Sequence, residues 1–413
     1  ADSARATSLL ASLREAEPAV CELAARAVGN GWSGGDTRVA LAGQDAGAVD
    51  LAAWAAAGGV RSDRALGAFR AALRDESPCV RRLAARVVGD AKRPGSYELF
   101  SGMLREAGAD DAARETAAIG LGHLEDPRAI EPLGATLGAG ARGATPAARR
   151  AAAWGLGEIE DPRAIEALSR ALKDPDAGVR AAAAWALGEI EDEGAVAALA
   201  GLVRDESAEV RKNAAWAMGE IESDEAVSAL ATLVRDADPE VRKTAVWALG
   251  EIESGEGVAA VIPALKDESA EIRQTAAWAL GEIEDHRGVA PLGTVLDDES
   301  AEVRKTAAWA LGEIEDASAV PLLVPKLKDR DESVRVAAAH ALGEIEDADA
   351  VAGLSAAVKD ESLEVRRTAV WALGEIEDSR ATDALEGALD DPDVMVRKHA
   401  AAALGRVAPR RKR

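Results

Sequence analysis

Aromatic side chains other than tryptophan are nearly missing from this chain: 413 residues hold two Phe and one Tyr. Alanine carries most of an apolar content of 48%. Small, strongly helix-forming residues suit close helix–helix packing and fit a thick globular core or a β-sheet poorly. Cysteine is equally scarce. Cys21 and Cys79 fall in different parts of the repeat pattern described below, so a disulfide between them is not expected. No CxxC or Cys/His cluster has metal-ligand spacing. No apolar run approaches the roughly 18 residues that span a bilayer, and no signal-peptide pattern is present. These absences read as a cytoplasmic protein with no membrane partner, no metal and no cofactor. The four histidines, His123, His286, His340 and His399, form no HExxH. Neither GxSxG nor a phosphate-binding glycine loop occurs. Catalysis needs a constellation that does not repeat, and the regular tract offers none, so the chain reads as a non-enzyme.

What is present is acid, unevenly placed. The formal net charge is −24, yet residues 1–150 hold 19 basic and 19 acidic residues. The remaining 30 basic and 54 acidic residues lie beyond, so the whole excess is there. Nucleic acid needs a basic track for its phosphates, which this region does not supply. The short basic tail from Pro409 to Arg413 does not reverse that.

Tryptophan is the exception among the aromatics, and it is periodic. Trp154, Trp185, Trp216, Trp247, Trp278 and Trp309 follow one another at steps of 31 residues, and the same step reaches His340, Trp371 and Ala402. The tract Ala-Leu-Gly-Glu-Ile-Glu recurs in this register, as at Ala310 to Glu315. Thirty-one residues accommodate two helices of three to four turns joined by short turns. Asp161, Asp192, Asp285, Asp316, Asp347 and Asp378 stand where a first helix needs an N-cap, with Ser223 and Ser254 as substitutes. In the unit beginning at Asp285 the second helix is expected over about Glu302 to Ile314. Upstream, Gly29, Gly58, Gly89 and Gly122 continue the glycine column less regularly, and a Gly/Ala-rich insert near Gly138 to Thr145 is a candidate hinge. The pattern predicts an all-α solenoid of about thirteen two-helix repeats. Residues 1–145 form degenerate repeats, a cap or a separate docking surface. Residues 146–407 form regular acidic repeats, and 408–413 a basic tail.

The unit from Val303 to Ile314, with the continuation Asp161-Pro162-Arg163-Ala164-Ile165-Glu166-Ala167-Leu168, resembles the HEAT-like repeat of phycobilisome lyases. The resemblance implies an α-solenoid whose second helices line the concave face, in a family that includes chromophore lyases and adaptors. It also sets aside the di-iron hydroxylase branch of HEAT-repeat enzymes, which uses adjacent His-Glu pairs that this chain lacks. One departure concerns Glu160, Glu191 and Glu315, where the family commonly has glycine for a left-handed helix end.

A helical wheel at about 100° per residue divides the second helix independently of that resemblance. Val303, Ala307, Ala310, Leu311 and Ile314 form the core stripe, and Ala308 and Ala310 let neighbouring helices approach. Trp309 falls opposite, sharing an exposed ridge with Lys305 and Glu313 at i, i+4 spacing. Stacked repeats turn that ridge into columns. Candidate partner-binding residues are therefore Trp154, Trp185, Trp216, Trp247, Trp278, Trp309 and Trp371, with Glu189, Glu220, Glu251, Glu282, Glu313, Lys212, Lys243 and Lys305. Structural roles compete with this reading: indoles sealing the inner face, and glutamates keeping it soluble. The column Arg180, Arg211, Arg242, Arg273, Arg304, Arg335, Arg366 and Arg397 reads as structural, each Arg bonding the turn carboxylate six residues before it, such as Asp298 for Arg304 or Asp329 for Arg335. The leading expectation is a scaffold whose Trp/Glu groove binds an extended, basic polypeptide or a partner protein. A lyase- or chaperone-like subunit handling a chromophore-bearing partner is the second reading, and a self-associating homo-oligomeric solenoid the third.

Overall fold

Residues 2–14, 63–106, 110–138 and 143–407 are described by a computed structural model. Half of the candidate hinge, 139–142, lies outside them, as do Cys21, Gly29, Gly58 and the basic tail. The described residues contain 23 α-helices, short 3-10 segments and no strand. From Asp63 to Val407 they form eleven two-helix units, an α-solenoid in which second helices pack against second helices of neighbouring repeats. The chain forms two compact units, Ala1–Ala217 and Met218–Arg413.

The first helix of each regular repeat starts more tightly than its sequence suggests. Pro162–Ala164 is a 3-10 turn and only Ile165–Ala171 is α-helical. The Asp161 carboxylate accepts from the N–H of Arg163, two residues on, which favours that tight start. The other expected aspartate caps bond in the same way. Ser254 also accepts, from Glu256, whereas Ser223 makes no side-chain cap bond. Pro263 and Pro325 lack an N–H for the α-ladder, and there the first helix passes into 3-10 at Ile262–Lys266 and Val324–Lys328.

Second helices are longer, as in Ala301–Glu313. Val303, Ala307, Ala308, Ala310 and Leu311 are fully buried, while Ile314 is only half-buried. The helices end at Glu125, Glu160, Glu191, Glu222, Glu253, Glu284, Glu315, Glu346 and Glu377, all left-handed with φ of 51–53°. The turns from Glu125 to Glu315 are each closed by a bond like that from the Glu284 N–H to the Gly281 carbonyl, 3.0 Å. Glutamate thus holds the position that glycine usually fills, at a cost of about 1–2 kcal/mol in backbone strain.

The arginine column is a ladder, with partners one repeat further on than the turn preceding each Arg. Arg304 donates from Nε and Nη2 to the carboxylate of Asp329 at 2.9 Å, and from Nη1 to the carbonyl of Asp298 at 2.7 Å. Arg149, Arg180, Arg242, Arg273, Arg335 and Arg366 repeat the pattern with Asp174, Asp205, Asp267, Asp298, Asp360 and Asp391. Each carboxylate also accepts from a backbone N–H two residues on, as Asp298 does from Ser300. Among the described residues Arg397, at the end of the column, bonds the Asp391 and Pro392 carbonyls of its own turn.

Cys79 is buried and disulfide-bonded, which corrects the expectation of unpaired thiols. The reading of a cytoplasmic protein loses the support it drew from unpaired cysteines. No helix among the described residues is long and apolar enough to cross a membrane.

Candidate partner-binding groove

The glycine of each Ala-Leu-Gly tract lies inside a helix, where its missing Cβ is a seat for the next repeat. A Cβ on Gly250 would stand 2.7 Å from Cζ3 of Trp278 and 3.0 Å from Cβ of Ala279. Gly157, Gly188, Gly219, Gly281 and Gly343 seat Trp185, Trp216, Trp247, Trp309 and Trp371 in the same way, with Cζ3 at 2.6–3.0 Å. The indoles are therefore half-buried, one edge wedged on the preceding glycine and one face open. The wheel placed Trp309 opposite the core of its own helix, but the neighbouring repeat supplies a second surface there.

In the unit Met218–Arg413 the open indole faces form the floor of a concave groove of about 1250 Å³. Trp247, Trp278 and Trp309 lie on it with Lys243, Gln274, Thr275, Lys305 and Thr306, and Val336, Ala337 and His340 continue it. Glu271, Glu332 and Glu364, exposed near the N-termini of second helices, make one wall. Sequence reasoning missed this acidic wall, although Glu240, Glu271, Glu302 and Glu364 follow the same 31-residue register. The lysines lean toward this side: Lys243 Nζ is 3.2 Å from Glu271, and Lys305 pairs with Glu302.

Of the expected residues, Trp247, Trp278, Trp309, Lys243 and Lys305 come together in this groove. Glu251, Glu282 and Glu313 sit one turn further along the same helices and do not line it. They form their own acidic row. Burial, then the charges of Glu220, Glu222 and Glu282, push the Glu251 carboxyl above its ordinary range. Burial, then Glu344, Glu282 and Glu284, do the same to Glu313. The indole floor is thus flanked by carboxylates on both sides.

In the unit Ala1–Ala217, Trp154 and Trp185 line a smaller groove of about 530 Å³ whose character is different. Arg82, Arg86, Arg150 and His123 surround it, with Glu115 and Glu209. Trp216, Trp371, Lys212, Glu189 and Glu220 line neither groove. Among the described residues no group of His, Cys, Asp and Glu has the arrangement of a metal site.

No curated relative matches the chain in sequence. Kap95p, in a structure describing its effect on the switch loops of RanGDP, is 15% identical with a TM-score of 0.55, covering 98% of this chain and 66% of that one. The chain thus spans just under two thirds of that structure's length. Kap95 in the Kap95–Nup1 complex is 14% identical, TM-score 0.53, covering 98% and 67%. An engineered protein is 24% identical, TM-score 0.49, covering 83% and 98%. These likenesses concern fold. The HEAT-repeat profile matches nine overlapping stretches, residues 68–141, 103–171, 134–211, 168–236, 199–267, 231–299, 258–327, 289–363 and 352–411. Matched over most of its length, and built of two-helix units throughout its described part from Asp63 to Val407, the chain belongs to the HEAT-repeat family.

Proposed function

We propose that this chain is a non-catalytic protein-binding scaffold, and that the groove floored by Trp247, Trp278 and Trp309 takes an extended, basic segment of a partner protein. The carrying observation is that groove: open indole faces with carboxylates along both flanks. Indole faces attract cations and apolar stems, and flanking carboxylates steer positive charge. Phosphate would meet like charge there. Kap95p and its RanGDP and Nup1 structures lend the reading general support, as HEAT solenoids solved with protein partners. Self-association through the tryptophan strip draws less support, because each indole already has one edge seated on its neighbour. The phycobilisome-lyase reading rests on the repeat resemblance alone.

The test leaves the tryptophans in place, since removing them empties the glycine seats and disturbs the stack. Glu271→Lys, Glu332→Lys and Glu364→Lys together reverse one wall at exposed positions. A fluorescein-labelled lysine-rich peptide should bind the wild-type chain in a salt-sensitive way, and the triple variant at least tenfold more weakly, about 1.4 kcal/mol. A glutamate-rich peptide should not bind. Equal affinity of the lysine peptide for both proteins, or none for either, overturns the groove.

A further inference from the structure

The tryptophan column is interrupted at two places, and the two are filled differently. At the last described repeat Ala402 stands where an indole would. There the guanidinium of Arg406 takes the ring's place: Nη2 lies 2.8 Å from where a Cβ on Gly374 would stand. Nη1 donates to both carboxylate oxygens of Glu375, the residue after that glycine, at 2.8 Å. The glycine seat therefore accepts a planar cation when no indole is present, provided the adjoining glutamate receives its N–H groups.

The other interruption is His340. Its ring stacks on Trp371, with centroids 4.7 Å apart and planes at 21°, and so leaves the preceding glycine. Only Ala341 approaches the Cβ position of Gly312: its Cα and Cβ lie at 2.9 and 3.0 Å, and the third-nearest atom, its carbonyl carbon, at 3.9 Å. No aromatic or guanidinium atom comes as close. The position equivalent to Arg406 is Glu344, an acid, whose Oε1 stands 3.6 Å from His340 Nε2. Glu313 follows Gly312 as Glu375 follows Gly374. The repeat also replaces Lys and Thr with Val336 and Ala337, and the large groove extends over it.

We propose that the seat above Gly312 is an arginine socket: the guanidinium of an arginine in a partner's extended segment lies flat over Gly312, beside Trp309 and His340, and donates to Glu313 and Glu344. The proposal rests on the groove reading and names one of its anchors. Arginine fits better than lysine because the seat accommodates a flat group with in-plane donors, whereas an ammonium is tetrahedral. The acidity crowding Glu313 favours an incoming cation.

Two labelled peptides test it on the full chain: one lysine-rich, the other identical but for a single central arginine. The wild-type chain should prefer the arginine peptide by roughly tenfold. His340→Trp restores the ladder and fills the seat; it should erase the preference, so that the two peptides bind the variant equally. Glu313→Gln, a change at a half-buried position that preserves shape, should reduce the preference to about threefold or less. Equal wild-type affinity for the two peptides, or a preference that survives His340→Trp, overturns the socket while the groove stands. If neither peptide binds, the groove reading itself fails. Free L-arginine competing as well as the peptide would assign the socket to a small molecule and overturn the peptide occupant.

Discussion

Two residue types sit where their intrinsic preferences oppose the structure, and each gives a test with a definite sign. Glycine in a helix interior is worse than alanine by about 1 kcal/mol. Gly250→Ala should nevertheless destabilise, because the added methyl meets Trp278 and the backbone of the next helix. Overpacking of this kind costs about 1–3 kcal/mol. Urea unfolding should show a lower midpoint, and a higher one would mean the seat is looser than described. Glutamate at φ 51° is the converse case. Glu284→Gly should be more stable than Glu284→Ala by about 1 kcal/mol, since both lose the charge but only glycine relieves the left-handed strain. If the two variants match in urea midpoint, charge and not backbone is the cause.

At the scale of the helix pair, two acidic sets titrate in opposite senses. Hydrogen bonding from Arg273, opposed by burial, holds Asp298 below its usual range. For Asp267 burial pushes upward, but Arg242 and the Ser269 N–H outweigh it. Such carboxylates stabilise the fold above the unfolded value of about 3.9, and that stability is lost as pH falls through their lowered values. Glu251 and Glu313 are raised, so their charged forms oppose folding, and protonating them as pH falls from neutrality relieves it. Thermal stability should therefore rise from neutrality into mild acid and fall steeply below about pH 4. A midpoint by circular dichroism that declines steadily from pH 7 downward would show that the glutamate row carries no strain.

Across the whole molecule the charge asymmetry becomes a statement about salt. The excess acid lies beyond residue 150, and much of it is exposed, while the Arg–Asp ladder is largely sheltered from solvent. Screening acts on exposed charge first: the Debye length shrinks from about 30 Å at 0.01 M salt to about 8 Å at 0.15 M. Added salt should thus weaken repulsion more than attraction and raise the thermal midpoint. A midpoint that falls with salt would mean the ladder and surface pairs dominate instead. The two units also differ in what their grooves display, arginines in Ala1–Ala217 and carboxylates in Met218–Arg413.

Much of this protein is set locally and is legible in the chain. The 31-residue step, the core stripe Val303, Ala307, Ala310 and Leu311, the Asp caps and the existence of an arginine ladder all follow from helix geometry and hydrogen-bond chemistry within one repeat. Relations between repeats are not legible in this way, because a single helix does not carry its neighbour's surface. A helical wheel therefore exposed Trp309, whereas tertiary packing seats its edge on Gly281. The wheel also grouped Lys, Trp and Glu on one ridge, whereas the folded lysines turn to Glu271 and Glu302 and leave Glu313 in a separate row. Arg304 pairs with Asp329 of the next turn, since only the neighbouring repeat brings a second carboxylate to its fork. The sequence by itself determined the repeat and its core. Tertiary structure decided which columns meet, because the space each glycine leaves is filled from the next repeat, by an indole, by a guanidinium, or above Gly312 by neither.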